Sequence, residues 1–227
     1  LKIFQNTEWF SFSLDSVILP NFVTLNKNIE TIMDLGCGNA PIPLILSTKT
    51  NAQIIGIEIQ KDSYDLAKKT VCYNNLEDRI KLLNIDMKEL KNIYSSDSID
   101  VITCNPPYFK YFETSNLNED EHKVIARHEK MITLEEIVSL SKYLLKNNGI
   151  LAMVHRTERL IEIVSLFQKY GLEVKKIRFV YPKVNTESNM VLIEGRKNGK
   201  IGLKLLPPLY VHNEDGSYTD EVLKMFE

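Results

Sequence analysis

The chain has 227 residues, 44% hydrophobic and 26% charged, with a formal net charge of −2. This is ordinary soluble material with enough apolar content for one well-cored domain, which excludes disordered and fibrous classes. No run of about eighteen apolar residues could span a bilayer, and no charged-then-apolar leader opens the chain. Cys37, Cys72 and Cys104 are odd in number and far apart, so neither a disulfide framework nor a zinc knuckle is supported. A reducing cytoplasmic setting is expected. With Leu in the first position, the natural start is expected to lie upstream.

In chain order, ETIMDLG (30–36) and QIIGIEI (53–59) predict strands, being short, Ile-rich and bounded by turn residues. IKLLNID (80–86), SIDVITC (98–104) and GILAMVH (149–155) predict three more. Helices are expected at 40–48, 61–75, more weakly at 87–93, and at 133–145 and 157–170. The fourth of these sets Leu134, Ile137, Val138, Ser141, Leu144 and Leu145 on one face. Lys146-Asn147-Asn148-Gly149 is expected to close it as a C-terminal cap. LEVKKIRFVYP (172–182) and NMVLIEGRK (189–197) then follow with no helix between them, so the last two strands should pair as a hairpin. Alternating strands and helices imply a mostly parallel, doubly wound α/β sheet. The antiparallel ending is unusual for a dinucleotide domain and usual for class I methyltransferases. A single domain over 1–227 is expected, with residues 1–29 as an N-terminal cover segment and 200–227 as a tail packed on the domain.

DLGCGNAP (34–41) follows the first strand and opens a helix. In open parallel sheets the ligand crevice lies at the carboxyl ends of the strands. Gly36 and Gly38 let the backbone turn tightly and approach a ligand with no Cβ in the way. Asp34 stands two residues before the first glycine, and Glu58 ends the second strand, where an acid can accept from both ribose hydroxyls. A dinucleotide fingerprint would place glycine at 41, but Pro41 is there, and it removes a donor that a pyrophosphate would use. The loop therefore suits a ligand without phosphate. S-adenosylmethionine fits: amino acid at the loop, ribose at Glu58, adenine near Asp86 at the end of the third strand. Cys37, Ile59 and Met87 flank these positions and complete the expected cofactor contacts. The thiols of Cys37 and Cys104 lie near this site, but thiol catalysis is not needed.

The fourth strand runs into CNPPYF (104–109). Prolines stop a strand because they lack the ladder donor, but they do not explain Asn105 and Tyr108. An exocyclic amine is a poor nucleophile because its lone pair is delocalised. The Asn105 side-chain oxygen and the Pro106 carbonyl can each accept one of its N–H groups, while Pro107 helps to fix the backbone. That aims the lone pair at the methyl and stabilises the transition state by preorganisation. Tyr108 offers a face on which a base can stack, and Asn105 also borders the cofactor.

FSFSLDSVILPNF (10–22), DLGCGNAPIPLIL (34–46), NPPYFK (105–110) with ARHE (126–129), and PPLYVHNEDGSYT (207–219) together resemble the bacterial family that methylates N6 of adenine 37 in a valine tRNA. It is an Asn-Pro-Pro-Tyr branch of the S-adenosylmethionine-dependent methyltransferases. The resemblance implies a Rossmann-like class I fold with a seven-stranded sheet. It places the cofactor at Asp34, Gly36, Gly38, Glu58 and Asp86, the target at Asn105–Tyr108, and FSFSLDS as a cover near the cofactor. It also implies tRNA as partner. Phe109, Lys110, Arg127, His128, Arg156 and Lys183 are the candidate RNA contacts. Arg127 and His128 could instead cap the helix near 133, and Phe109, Tyr111 and Phe112 either stack on nucleotides or simply pack. The histidines show no metal-ligand spacing, so no metal is expected; a monomer is favoured.

Charge distribution bears on the partner. Residues 142–204 carry thirteen Lys and Arg against five Glu, a local +8, and the remainder carries fifteen against twenty-five, or −10. This asymmetry fits a polyanionic partner or, equally, a set of solvated faces. Other acceptors remain open at this level: a glutamine amide of a release factor, or an amino group of DNA or ribosomal RNA. A catalytically silent cofactor-binding subunit is opposed by the intact Asp34, Glu58, Asp86 and Asn-Pro-Pro-Tyr.

Overall fold

A computed structural model describes residues 1–5, 13–106 and 132–226. The strands are β1 (Thr31–Leu35), β2 (Gln53–Ile57), β3 (Ile80–Leu83), β4 (Ile99–Cys104), β5 (Leu145–Arg156), β6 (Leu172–Tyr181) and β7 (Met190–Lys197), with two short ones, β8 (Lys204–Leu205) and β9 (Leu209–Tyr210). They form one sheet in the order β3-β2-β1-β4-β5-β7-β6-β8, and β9 also pairs with β6. β1 to β5 pair in parallel. β7 inserts antiparallel between β5 and β6. The expected parallel sheet with a terminal hairpin is what forms; β8 and β9 add an edge that the apolar pattern did not announce.

The helices are α1 (Asp15–Phe22), α2 (Pro41–Lys49), α3 (Lys61–Tyr73), the single turn α4 (Leu90–Ile93), α5 (Leu134–Leu144), α6 (Leu160–Lys169) and the short α7 (Asp220–Leu223). Pro41 opens α2 at its first turn, where its missing N–H costs nothing. α5 starts at a capping box in which Thr133 and Glu136 satisfy each other's backbone donors.

Strands buried on both faces split the core in two. Ile32, Ile54, Val101, Ile150, Ala152 and Val154 face one cluster, shared with α1, α2 and the C-terminal tail. Met33, Leu35, Ile102, Leu151 and Met153 face the other, under α5 and α6. In the second, Phe167 of α6 lies so close to β7 that a Cβ at Gly195 would sit 2.6 Å from its ring. Only glycine leaves that room.

Two expectations shift. Residues 146–149 do not cap α5; the helix ends at Leu144 and β5 begins at once at Leu145. The irregularity that the Asn-Asn-Gly composition signals is a register shift within the β4–β5 pairing, with Asn148 at φ 64°. β3 ends at Leu83, so Asp86 lies beyond the strand and caps the 3-10 turn at Met87–Glu89.

The carboxyl-end crevice

The glycine loop is built by β1 and β2 together. The amides of Gly36 and Cys37 both donate to the Ile57 carbonyl at 2.9 Å, and that of Ala40 donates to Cys37. The Gly38 amide donates to Glu58 Oε2 at 2.8 Å. Four loop amides are thus consumed within the protein and Pro41 has none, so this is a poor phosphate cradle. Gly36 and Gly38 take φ of 73° and 56°, and a Cβ on either would meet nothing within 4 Å. The loop therefore borders open space, and its glycines are required by conformation.

Three acids line this side. Asp34 is buried; its Oδ1 accepts from the Thr103 hydroxyl at 2.6 Å, while its Oδ2 has no partner among the described residues. Burial pushes its pKa up to about 7; the Thr103 hydrogen bond opposes this and the Glu58 charge adds to it. A buried, half-satisfied carboxylate of this kind suits a cationic ligand group. Glu58, also buried, accepts from the Gln60 amide at 2.7 Å as well as from Gly38. A carboxylate at this strand end is of the type that accepts from hydroxyl donors. Asp86 accepts from the Lys88 amide at 2.9 Å. Beside it, Gly36, Ile57, Ile59, Met87, Ile85 and Ile132 line a small apolar slot, of the character that a purine face requires.

Cys37 contributes backbone only. A Cβ at Gly56 would lie 2.8 Å from its sulfur, so the thiol packs inward against β2. Burial holds the thiols of Cys37 and Cys104 well above their ordinary range, which removes both as nucleophiles.

Asn105 and Pro106 leave the sheet directly after β4, level with Val154 in the parallel register that pairs Cys104 with Met153. Asn105 is half-buried, and its amide nitrogen lies 3.5 Å from the hydroxyl of Ser16, a buried residue in the first turn of α1. Arg156 ends β5 on the same side. His155 beside it is buried and depressed to about pKa 4, chiefly by desolvation, and hence neutral; its Nδ1 accepts from the Arg156 amide at 2.8 Å. Lys183 lies between β6 and β7 and reaches the Glu214 carbonyl at 3.4 Å. Pro107, Tyr108, Phe109, Lys110, Arg127 and His128 lie outside the described residues, as do Tyr111 and Phe112.

Reading the chain as a line missed Thr103, Ile85 and Ile132; Ser16 belongs to the FSFSLDS stretch expected near the cofactor, but its contact with Asn105 is not legible there. Thr103 stands one residue before the Cys-Asn-Pro run, but its place beside Asp34 comes from the β1–β4 pairing, which only the fold sets. Ser16 and Ile132 arrive only by folding back.

Residues 26–198 match the family described as "Methyltransferase domain". A tRNA1(Val) (adenine(37)-N6)-methyltransferase from Flavobacterium johnsoniae is 30% identical over 168 residues, covering 72% of this chain and 70% of that protein. The protein of the same name from Flavobacterium psychrophilum is 27% identical over 188 residues, covering 81% and 79%. The chain belongs to this methyltransferase family. It is an S-adenosylmethionine-dependent methyltransferase, as its four resembling stretches implied. Solved structures agree on the fold. A predicted O-methyltransferase from Agrobacterium tumefaciens superposes with a TM-score of 0.73 at 16% identity, over 93% of this chain and 94% of that one. A geranyl diphosphate C-methyltransferase from Streptomyces coelicolor, solved with S-adenosyl-L-homocysteine, gives 0.60 at 11% identity, over 80% and 76%. The residues present fit the cofactor of this methyltransferase: an orphaned buried carboxylate oxygen, an open glycine loop and an apolar slot lie along one sheet end. Among the described residues, no His, Cys, Asp and Glu group could hold a metal ion, and no helix is long and apolar enough to cross a membrane.

Proposed function

We propose that this methyltransferase modifies N6 of an adenine in tRNA, adenine 37 of a valine tRNA, as its named relatives do. The observation that carries the reading is the position of Asn105-Pro106. They emerge from β4, the strand paired with β1, whose Asp34 and following loop face the cofactor side. S-adenosylmethionine, when bound, supplies a methyl group on a sulfonium.

The chain's own residues do the rest. Asp34 Oδ2 would hold the ammonium group, and Glu58, at the end of β2 beside the glycine loop, would hold the ribose hydroxyls. Asp86 receives the adenine amino group at the mouth of the slot, which Ile59 and Met87 flank. On the target side, Asn105 Oδ1 and the Pro106 carbonyl would each accept a hydrogen bond from one N–H of the amine, which leaves the nitrogen lone pair for the methyl. The amide nitrogen of Asn105 faces Ser16, which favours the orientation with the oxygen toward the target. A base held this way has left its stack, with Tyr108 as the surface it stacks on instead. Phe109, Lys110, Arg127, His128, Arg156 and Lys183 are the candidates for holding the flanking RNA, and residues 1–29 serve as the cover over the cofactor.

The test is mass spectrometry of nucleosides from tRNA incubated with the protein and methyl-labelled cofactor. Label in N6-methyladenosine supports the proposal. Label absent from tRNA but present in a glutamine of a release factor overturns it.

A further inference from the structure

Asp34 and Thr103 occupy partner positions in the parallel β1–β4 pairing, so their side chains rise side by side on the same face of the sheet. Asp34 is 1% exposed and Thr103 0%, and the hydroxyl donates to Oδ1 at 2.6 Å. The other oxygen, Oδ2, is equally buried and has no partner among the described residues. One oxygen of a buried carboxylate is therefore fixed, and the second is left with an unmet demand.

We propose that Thr103 is a positioning residue for cofactor capture: its buried hydroxyl pins Oδ1 of Asp34, which leaves Oδ2 as the oxygen that meets the ammonium group of S-adenosylmethionine. The inference rests on the reading of Asp34 given above and extends it to a residue that touches no ligand.

Surroundings make that hydrogen bond consequential. Beyond β2, Glu58 pushes the Asp34 carboxyl toward its protonated form, as does burial. Cys37 in the glycine loop and Cys104 on β4 are neutral thiols, themselves pushed up by Asp34. Among the described residues, none of the groups acting on Asp34 is a cation; the Thr103 hydroxyl is what favours the charged form. Removing it should do two things. The carboxylate loses its orientation, and it holds its proton to higher pH, where a neutral acid is a poor partner for an ammonium.

The experiment is calorimetry of S-adenosylhomocysteine binding from about pH 5.5 to about pH 9, with wild type, Thr103→Val, Thr103→Ser and Asp34→Asn. The ligand's own amino group titrates identically in all four, so differences report the protein. Valine matches threonine in shape, and thermal unfolding of each variant checks that the sheet is intact. Thr103→Val should bind about tenfold more weakly at neutral pH, the loss expected for a hydrogen bond to a charged group. Its affinity should recover toward wild type as pH rises, and Thr103→Ser should restore both affinity and profile. Wild-type affinity for Thr103→Val across the range overturns the proposal. So does a loss that is equal at every pH and not rescued by serine, because that is a packing defect. Unchanged affinity in Asp34→Asn would instead remove the ammonium assignment itself, and the inference with it.

Discussion

At the scale of single residues, Asp34 is a buried carboxylate whose titration is displaced upward, chiefly by desolvation. Its folded pKa, about 7, stands above the ordinary value of 3.8, so between those limits the folded state binds more protons than the unfolded one. Its contribution to stability is therefore present below about pH 4 and is lost as pH rises through about 7. Asp34→Asn should abolish cofactor binding yet be more stable than wild type without cofactor at pH about 8, the gap closing as pH falls toward about 4. Chemical denaturation of both proteins across that range measures the gap; a pH-independent difference would refute the assigned cause. The effect is visible only as a difference, because Asp100 and Glu136 are held below their usual range and contribute in the opposite direction. Asn105 should separate binding from chemistry. Asn105→Ala is expected to slow methyl transfer by about a hundredfold or more while leaving cofactor affinity near wild type, since its oxygen acts on the amine. Single-turnover rates set against calorimetric affinity decide this.

Among the elements, β7 and α6 approach closely at Gly195. Gly195→Ala would drive a methyl to 2.6 Å from the Phe167 ring, and Phe167 is fully buried with no room to swing. Overpacking of this kind costs about 1–3 kcal/mol. Thermal unfolding of Gly195→Ala should show a clear loss, and Gly195→Ala with Phe167→Leu should regain part of it. A second device ties α1 to the hairpin. Lys176 on β6 donates to the Phe22 carbonyl at 2.6 Å and to Thr24 at 2.7 Å, and pairs with buried Glu194 on β7 at 3.1 Å. Glu194 also accepts from the Thr24 amide at 2.9 Å. This clamp fixes the end of the helix whose first turn reaches Asn105, so the terminal hairpin supports the surroundings of Asn105 at a distance.

For the molecule as a whole, the segregation of charge along the chain is partly offset in space. Lys146 pairs with Asp100, Lys169 with Glu135, Arg178 with Glu221 and Lys197 with Asp97, each acid lying outside the basic block. Lys176 and Arg159 pair with Glu194 and Glu162 inside it. Four outside acids therefore offset about half of the local +8, and the rest stays positive among the described residues. Arg156 and Lys183 keep their place at the carboxyl ends, although Asp215 lies near enough to Lys183 to feel its charge. In a salt titration of tRNA binding, wild type should show a measurable slope of log affinity on log salt. Arg156→Glu with Lys183→Glu should weaken binding and flatten the slope by roughly one per lost phosphate contact. A wild-type slope near zero would argue against RNA as the acceptor.

Local pattern by itself determined the strand–helix order, the terminal hairpin, the position of the glycine loop and the acids Asp34 and Glu58. Periodicity, glycine placement and proline stops act within a few residues of one another, so a linear reading recovers them. The exclusion of phosphate, argued from Pro41 alone, is strengthened by four loop amides that the fold satisfies internally. What only the tertiary structure decided is which side chains face each other across strands. Thr103 meets Asp34 through a β1–β4 register that no local signal specifies, and Ser16 meets Asn105 because α1 folds back over the sheet. The partial offset of the basic block has the same origin, because ion pairs form between segments far apart in the chain and close together only in the folded sheet.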